Sequence, residues 1–252
     1  MWGPGPTFAA HLPFTPLRAR RRMTQLFFSD YYAGPGTGRP LVIFGAGGLG
    51  REVLGLVQQL PPGPTGAPAW EVRGFYDDAA PATPTVAGLP YLGTSADLNA
   101  TAEPLAVAVA VGSSAGRAAV VGRLTSPQLA FPVLVHPGVA LGSGQRISLR
   151  EGCIIQQGCI LTCDIALDRF VFLNLGCTVG HDAVLGEFCS LMPRANVGGA
   201  ARLAPGVYLG TGATVIQGVA VGEYATVGAG AVVVRSLPPR VTAVGVPARI
   251  IK

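Results

Sequence analysis

Hydrophobic residues recur at every sixth position through the second half of the chain. Starting at Leu149 and advancing by six, all fifteen positions up to Val233 are Leu, Ile or Val. Four residues after most of these positions comes a small side chain, and a glycine often follows directly, as at Gly180. A six-residue period is typical of a parallel β-helix, in which three hexapeptides form one triangular turn. The pattern therefore predicts a prism with the aliphatic side chains inside.

The first half has a different pattern of apolar residues. Residues 41–60 read as an apolar strand, the glycine-rich loop GAGGLG and a helix with apolar residues at helical spacing. A second strand is indicated at 70–78, and residues 104–117 are interpreted as a third strand followed by a turn and the start of a helix. Strands that alternate with helices predict a small parallel sheet covered on both faces. We expect residues 39–132 to form this Rossmann-like domain and residues 133–252 to form the β-helix.

The charge of the chain is concentrated near its beginning. The formal net charge is +5, charged residues make up 12% of the chain, and four arginines lie within residues 18–22. A basic tail on a nearly neutral fold argues against a nucleic-acid-binding protein. No apolar run reaches the roughly 18 residues of a membrane helix, and the N-terminal segment lacks the apolar region of a secretory signal. We interpret residues 1–38 as a disordered or misassigned extension, with Met23 as the true start.

The cysteines point to packing and to a reducing compartment. There are five, without a CxxC pair and without a histidine at zinc spacing, so we expect no metal site. An odd number of cysteines without a secretory signal predicts free thiols and a cytoplasmic protein. Four of them (Cys153, Cys159, Cys177 and Cys189) occupy the small position of the hexapeptide. Cys163 lies outside that register and has no interpretation from the sequence.

Of the three histidines in the chain, His181 is the candidate catalytic residue. Histidine titrates near neutral pH and is suited to act as a general base. The adjacent carboxylate of Asp182 could fix the tautomer of the ring. Both residues fall outside the interior positions of the hexapeptide, so we expect them at the surface; the alternative is a surface histidine in a turn. His136, which precedes a proline, is interpreted as a structural turn residue.

Six motifs in order resemble one known family. The chain is similar to the acetyl-CoA-dependent sugar acetyltransferases with an N-terminal Rossmann-like domain and a C-terminal left-handed β-helix. Members act on nucleotide-linked amino sugars of the bacillosamine and perosamine pathways, or on sialic acid. The motifs are IFGAGGLGREV (43–53), GFYDD (74–78), AVGSSAGR (110–117), LVHPGVALGSG (134–144), VGHDAVLGEF (179–188) and VGVPARI (244–250).

The resemblance implies roles for residues of the β-helix. His181 would be the general base, supported by Asp182. Coenzyme A would lie in a groove between neighbouring β-helices of a homotrimer, with an oxyanion contact from the backbone N–H of Gly199. Ser190 stands where several members carry a second histidine. The full set of implied cofactor contacts is Ser190, Gly199, Thr211, Ala229 and Arg249.

The resemblance also implies a site for the nucleotide sugar in the first half. Gly47, Gly48 and Leu49 would contact the phosphates, although many members have histidine at position 49. The other implied contacts are Asp77 and Asp78, near the base or ribose, and Gly112. Taken without the resemblance, the glycine loop and the acid pair leave two alternatives open: a dinucleotide site, or a loop that only packs a helix on a strand.

Several functions are compatible with this sequence. The leading hypothesis is N-acetylation of a nucleotide-linked amino sugar, and the alternative is O-acetylation of sialic acid or a related sugar. A non-catalytic nucleotide-binding scaffold is a further alternative. A γ-type carbonic anhydrase would need three zinc-binding histidines, whereas the repeats contain only His181, so that hypothesis is rejected.

Overall fold

The computed structural model describes residues 38–63 and 66–252. The N-terminal extension, with its Arg-rich segment and Met23, lies outside the described residues, as does His11. The boundary expected between residues 132 and 133 stays a prediction.

The first half contains a six-stranded sheet with helices on both faces, which confirms the Rossmann-like prediction. The strands occur in the order β3-β4-β2-β1-β5-β6, and β2, β1 and β5 are parallel neighbours. Strands β3 and β4 form an antiparallel hairpin that the sequence pattern did not predict. The elements are β1 (Arg39–Phe44), α1 (Gly48–Gln58), β2 (Trp70–Tyr76), β3 (Thr85–Val86), β4 (Leu89–Gly93), α2 (Ser95–Asn99), β5 (Leu105–Val109), α3 (Ser114–Arg123) and β6 (Leu129–Ala130).

The apolar run of β1 explains its central position in the sheet. Leu41 and Ile43 pack with the buried side of α1 on one face. Val42 and Phe44 pack on the other face with side chains of α2 and α3, including Leu98. A parallel strand that is covered on both faces needs a continuous apolar sequence instead of an alternating one.

The second half is a parallel β-helix. Each strand from β8 to β22 has two residues, and the second is always the aliphatic residue of the six-residue period. The elements are β7 (Leu134–Val135), a 3₁₀ helix (Ser143–Gln145), β8 (Ser148–Leu149), β9 (Ile154–Ile155), β10 (Ile160–Leu161), β11 (Ala166–Leu167), β12 (Phe172–Leu173), β13 (Thr178–Val179), β14 (Val184–Leu185), β15 (Ser190–Leu191), β16 (Asn196–Val197), β17 (Arg202–Leu203), β18 (Tyr208–Leu209), β19 (Thr214–Val215), β20 (Ala220–Val221), β21 (Thr226–Val227), β22 (Val232–Val233), β23 (Thr242–Val244) and β24 (Arg249–Ile250).

The strands stack into three sheets, which we name by their first strand. The β7 sheet has the order β24-β23-β21-β18-β15-β12-β9-β7, the β8 sheet runs β20-β17-β14-β11-β8, and the β10 sheet runs β10-β13-β16-β19-β22. Partners lie eighteen residues apart, as for Leu167, Leu185 and Leu203. One turn therefore consists of three hexapeptides, and all fifteen aliphatic residues of the period are buried, as predicted.

The prism has three corners, each closed by a residue in the left-handed backbone conformation. The base corner, named after the predicted base His181, joins the β10 sheet to the β8 sheet and includes Asp182 (φ 60°) and Ala200 (φ 56°). The donor corner, named after the predicted acetyl-donor contacts Thr211 and Ala229, joins the β7 sheet to the β10 sheet and includes Gly212 (φ 67°). The third corner joins the β8 sheet to the β7 sheet and includes Phe170 and Phe188. Glycine adopts this conformation without strain, whereas Ala200, Phe170 and Phe188 each donate a backbone hydrogen bond to the preceding turn, which holds them in it.

The two halves share a hydrophobic core. Leu134, Ile154 and Phe172 project from the β7 sheet, are almost fully buried, and pack in one cluster with Leu54 and Val57 of α1. The outer face of strands β7, β9 and β12 is therefore covered by the Rossmann-like half. This contact fixes the glycine loop relative to the β-helix.

His136 lies at the junction of the two halves and has a structural role, as predicted. Its Nδ1 accepts a hydrogen bond from the backbone N–H of Gly138 (3.0 Å). Its Nε2 therefore carries the proton and donates to Oε1 of Gln59 at 3.1 Å. The ring joins the C-terminal end of α1 to the first turn of the β-helix.

Candidate active site

His181 and Asp182 lie side by side on the base corner. Nδ1 of His181 is 2.8 Å from Oδ2 of Asp182. Both side chains are exposed, to 52% and 62% respectively. Because a carboxylate can only accept, Nδ1 of the neutral ring carries the proton and Nε2 keeps its lone pair. The pair therefore lies at the surface, as expected from the sequence.

Gly199 lies directly beneath the imidazole of His181, one turn further along the prism. A Cβ atom built on Gly199 would lie 2.6 Å from Nε2 of the ring. The same corner position holds Cys163 and Gln217 in neighbouring turns, so the backbone accepts a side chain there. The absence of a side chain at position 199 is therefore required by the ring of His181.

The backbone hydrogen bonds around Gly199 also shape the candidate site. The carbonyl of His181 accepts a hydrogen bond from the N–H of Ala200 at 2.6 Å, which holds the two turns together. Within residues 38–63 and 66–252, no hydrogen bond uses the N–H of Gly199. The structure thus brings the candidate base and the candidate oxyanion donor into contact, although Gly199 is eighteen residues away in sequence.

The other predicted cofactor contacts of the β-helix lie elsewhere. Thr211 and Ala229 are on the donor corner, which the β10 sheet separates from the base corner. Arg249 is exposed on β24, the outermost strand of the β7 sheet, and donates to the neighbouring carbonyl of Ala248. One chain does not bring Thr211, Ala229 or Arg249 next to His181.

The structure does not place Ser190 beside the other predicted cofactor contacts. Its side chain points out of the prism, but that face of the β7 sheet is covered by the Rossmann-like half. The residue is fully buried, and its Oγ accepts a hydrogen bond from the guanidinium of Arg117 at 2.8 Å. A ligand cannot reach this hydroxyl.

The glycine loop contains glycines of two kinds. A Cβ on Gly50 would lie 1.9 Å from the carbonyl oxygen of Gly45, so this glycine lets α1 pack closely on the sheet. At Gly47 a Cβ would meet no atom within 4 Å, and at Gly48 only the end of the Arg51 side chain. The loop therefore both packs the helix and leaves its N-terminal end open to a ligand.

The predicted substrate residues converge only in part. Oδ2 of Asp77 accepts the N–H of Ala46 in the glycine loop at 2.8 Å. Asp78 instead binds the N–H of Ser95 and the guanidinium of Arg123, at 2.9 and 2.6 Å. The structure therefore joins Asp77 to the loop and does not join Asp78 to it.

Leu49, in the first turn of α1, lies next to Gly112, in the loop that follows β5. A Cβ on Gly112 would lie 3.6 Å from Cδ2 of Leu49. Gly112 also lines a groove of about 970 Å³ between the start of α3 and the β7 sheet. Tyr208, Tyr224 and Arg240 line its opposite wall; the sequence did not single them out, because the six-residue period marks only interior positions.

Cys163 lies one turn before His181 on the base corner, and its carbonyl accepts the N–H of Asp182 at 3.1 Å. It is partly exposed, whereas the other four cysteines are buried as predicted. Burial raises the pKa of the Cys153 and Cys189 thiols to about 12.

We expect the native protein to react quickly with one equivalent of an aromatic disulfide reagent, at Cys163, because only this thiol is accessible. Absorbance of the released thiolate and peptide mass spectrometry would measure the extent and the position. A Cys163→Ser variant should lose the fast phase, and an unchanged fast phase in that variant would contradict the assignment.

The described residues contain no group of three or more His, Cys, Asp or Glu side chains that could hold a metal ion. In the same part of the chain, no helix has the length and apolar character needed to cross a membrane.

Comparison with known proteins adds to this geometry. Residues 40–124 match the PglD N-terminal domain family. The acetyltransferase domain of PglB from Neisseria gonorrhoeae, solved with acetyl coenzyme A, is 30% identical with a TM-score of 0.74, covering 85% of this chain and 100% of that one. WeeI from Acinetobacter baumannii is 30% identical with a TM-score of 0.74, covering 84% and 100%.

Two further relatives differ in what they share with the chain. GDP-perosamine N-acetyltransferase from Caulobacter crescentus, solved with CoA and GDP-perosamine, is 29% identical with a TM-score of 0.73, covering 87% of this chain and 100% of that one. A serine acetyltransferase from Buchnera aphidicola is 34% identical over 122 residues, which is 48% of this chain. That match covers 41% of the length of the serine acetyltransferase.

The Rossmann-like domain followed by a left-handed β-helix places the chain in the class of hexapeptide-repeat acyltransferases. Within it, the chain belongs to the sugar acetyltransferase family that carries the PglD N-terminal domain.

Proposed function

We propose that the protein transfers the acetyl group of acetyl-CoA to the amine of a nucleotide-linked amino sugar. The observation that carries this proposal is the stacking of His181, oriented by Asp182, on Gly199. Relatives matched over their whole length support the choice of ligands, since one was solved with acetyl coenzyme A and another with CoA and GDP-perosamine.

In the proposed reaction, His181 acts as the general base. The amine nitrogen of the sugar attacks the thioester carbonyl, and Nε2 of His181 takes a proton from that amine as the bond forms. The N–H of Gly199 donates to the carbonyl oxygen as it gains negative charge. The C–S bond then breaks, and the sulfur of coenzyme A leaves as a thiol with the proton that His181 returns. Asp182 keeps the proton on Nδ1 and stabilises the charged ring between these steps.

We propose that the nucleotide sugar binds at the open end of the glycine loop. Gly47 and Gly48 let phosphates approach the N-terminal end of α1, whose backbone N–H groups point toward a bound anion. Leu49 and Gly112 form the adjoining wall. Asp77 holds the loop through the N–H of Ala46, whereas Asp78 is committed to Ser95 and Arg123 and is not included in the proposed contacts.

The proposed assembly is a homotrimer in which neighbouring prisms enclose the acetyl donor. Thr211 and Ala229 lie on a different corner from His181, so donor contacts from both corners require two copies that face each other. A contact between different surfaces of two copies is heterologous, and heterologous contacts close into a ring such as a trimer. The free, mostly buried thiols fit the predicted cytoplasmic location.

A thiol-release assay tests the proposal. Purified protein receives acetyl-CoA and, in separate reactions, UDP-, GDP- and CMP-linked sugars with and without a free amine. We expect release of coenzyme A only with an amino sugar. Release only with a sialic acid would replace the proposal by O-acetylation, and absence of both release and acetyl-CoA binding would replace it by the non-catalytic scaffold.

A further inference from the structure

Arg117, in the first turn of α3, has an unusual environment for a cation. Only 2% of the residue is exposed, and it is the largest of the fully buried side chains. None of the ion pairs formed within residues 38–63 and 66–252 includes it. A buried charge without a counter-ion is costly unless hydrogen bonds replace its hydration.

The guanidinium of Arg117 donates hydrogen bonds to backbone carbonyls in two successive turns of the β-helix. Nε donates to the carbonyl of Phe170 at 2.9 Å. Nη2 donates to the carbonyls of Phe188 and Cys189 at 2.9 and 3.0 Å, and to Oγ of Ser190 at 2.8 Å. Phe170 and Phe188 occupy the same position on the third corner in consecutive turns, and their rings stack at 5.4 Å. One side of the guanidinium is thereby fixed to the prism.

The remaining nitrogen of Arg117 binds the loop that contains Gly112. Nη1 donates to the carbonyl of Val111 at 2.6 Å and approaches that of Gly112 at 3.5 Å. These carbonyls lie at the end of β5, where Gly112 meets Leu49. The side chain thus connects this loop to the β-helix that carries His181.

Two other features agree with a connecting role. Ser114, also buried, points its Oγ at the carbonyl of Val207, which lies 3.4 Å away near the third corner one turn further along. Burial lowers the pKa of Arg117 to about 10, so the guanidinium stays charged at neutral pH. A lysine could not replace it fully, since the planar fork donates in several fixed directions at once.

We infer that Arg117 is a positioning residue for the nucleotide sugar. It clamps residues 111–113 onto the β-helix, and so sets the distance between the proposed sugar-binding loop and the chemistry on the prism. This inference rests on the proposed function. Ser190 serves as one acceptor of the clamp, which gives a role to the residue that stands where several members of the family carry histidine.

The test compares Arg117→Met and Arg117→Lys with the wild type. Arg73→Met, the same change at an exposed position of β2, is the matched control. Amide hydrogen exchange of residues 110–116 reports the clamp without any need for activity. Steady-state kinetics then separate the KM for the nucleotide amino sugar from the KM for acetyl-CoA.

We expect faster exchange in residues 110–116 of Arg117→Met, with the turns around His181 unchanged. The KM for the nucleotide sugar should rise about tenfold or more, because a misplaced loop loses substrate contacts, while the KM for acetyl-CoA changes less than about twofold. Arg117→Lys should lie between the wild type and Arg117→Met, and it serves as the test if Arg117→Met does not fold.

Two outcomes would overturn the inference. Unchanged exchange and unchanged KM values in both variants would show that the loop holds its place without Arg117. Equal loss for both substrates, with faster exchange throughout the β-helix, would show a role in stability alone. An inactive wild type would instead contradict the proposed function, and the exchange data would still decide whether the clamp exists.

Discussion

Replacing His181 with alanine should lower kcat for acetyl transfer by about a thousandfold, the scale of a lost general base. Without the imidazole, the attacking amine nitrogen would become positively charged as the C–N bond forms, or water would have to remove its proton. The variant should fold normally, because the side chain is half exposed on the base corner. Acetyl-CoA should still bind within about twofold of the wild type, since the loss concerns only the transition state. Thiol-release kinetics and calorimetry would measure the two quantities.

Asp182→Asn tests the partner of the proposed base separately. It keeps the size of the side chain and removes the charge that stabilises the protonated ring, so kcat should fall by about ten- to a hundredfold. His181→Ala with more than a tenth of wild-type activity would show that another group removes the proton.

Gly199→Ala should lower kcat by about a hundredfold without loss of the fold, because a small displacement of a reacting group has an effect of this size. The new Cβ would lie 2.6 Å from Nε2 of His181, which forces the ring out of its position. Side chains at Cys163 and Gln217 occupy the equivalent position in other turns, so the melting temperature should change little. Kinetics and thermal unfolding together test this expectation.

The double variant His181→Ala/Gly199→Ala separates the ring from the backbone. If alanine at position 199 acts by displacing the imidazole, it should cause little further loss once the imidazole is absent. A full additional hundredfold loss in the double variant would mean instead that Gly199 contributes independently of His181. Wild-type activity in Gly199→Ala would contradict the stacked arrangement.

The β-helix was predictable because one periodicity determines it. A prism with a triangular section buries one side chain of every hexapeptide, so Leu149 to Val233 had to be aliphatic at each sixth position. The β3–β4 hairpin was missed, since Thr85–Val86 is too short to show a strand pattern. Its partner Leu89–Gly93 contains a proline, which weakens a strand assignment.

The local geometry of the candidate site was predictable where sequence neighbours form it, whereas Gly199 was singled out only through the family resemblance. His181 and Asp182 are adjacent in the chain, and their outward orientation follows from the period. Ser190 also points outward, but the residue that covers it, Arg117, comes from the other half of the protein. The partner of Asp78, Arg123, is likewise distant in sequence. Contacts of this kind depend on how the two halves pack, which no local pattern records.

The mass spectrum of the nucleotide sugar after incubation with acetyl-CoA tests the central claim most directly. The product formed by the wild-type protein should gain the mass of one acetyl group, and the gain should survive neutral hydroxylamine, which removes acetyl esters but not acetamides. The His181→Ala variant should give almost none of this product. An unchanged mass, or an acetyl group that hydroxylamine removes, would contradict N-acetylation as the function of this protein.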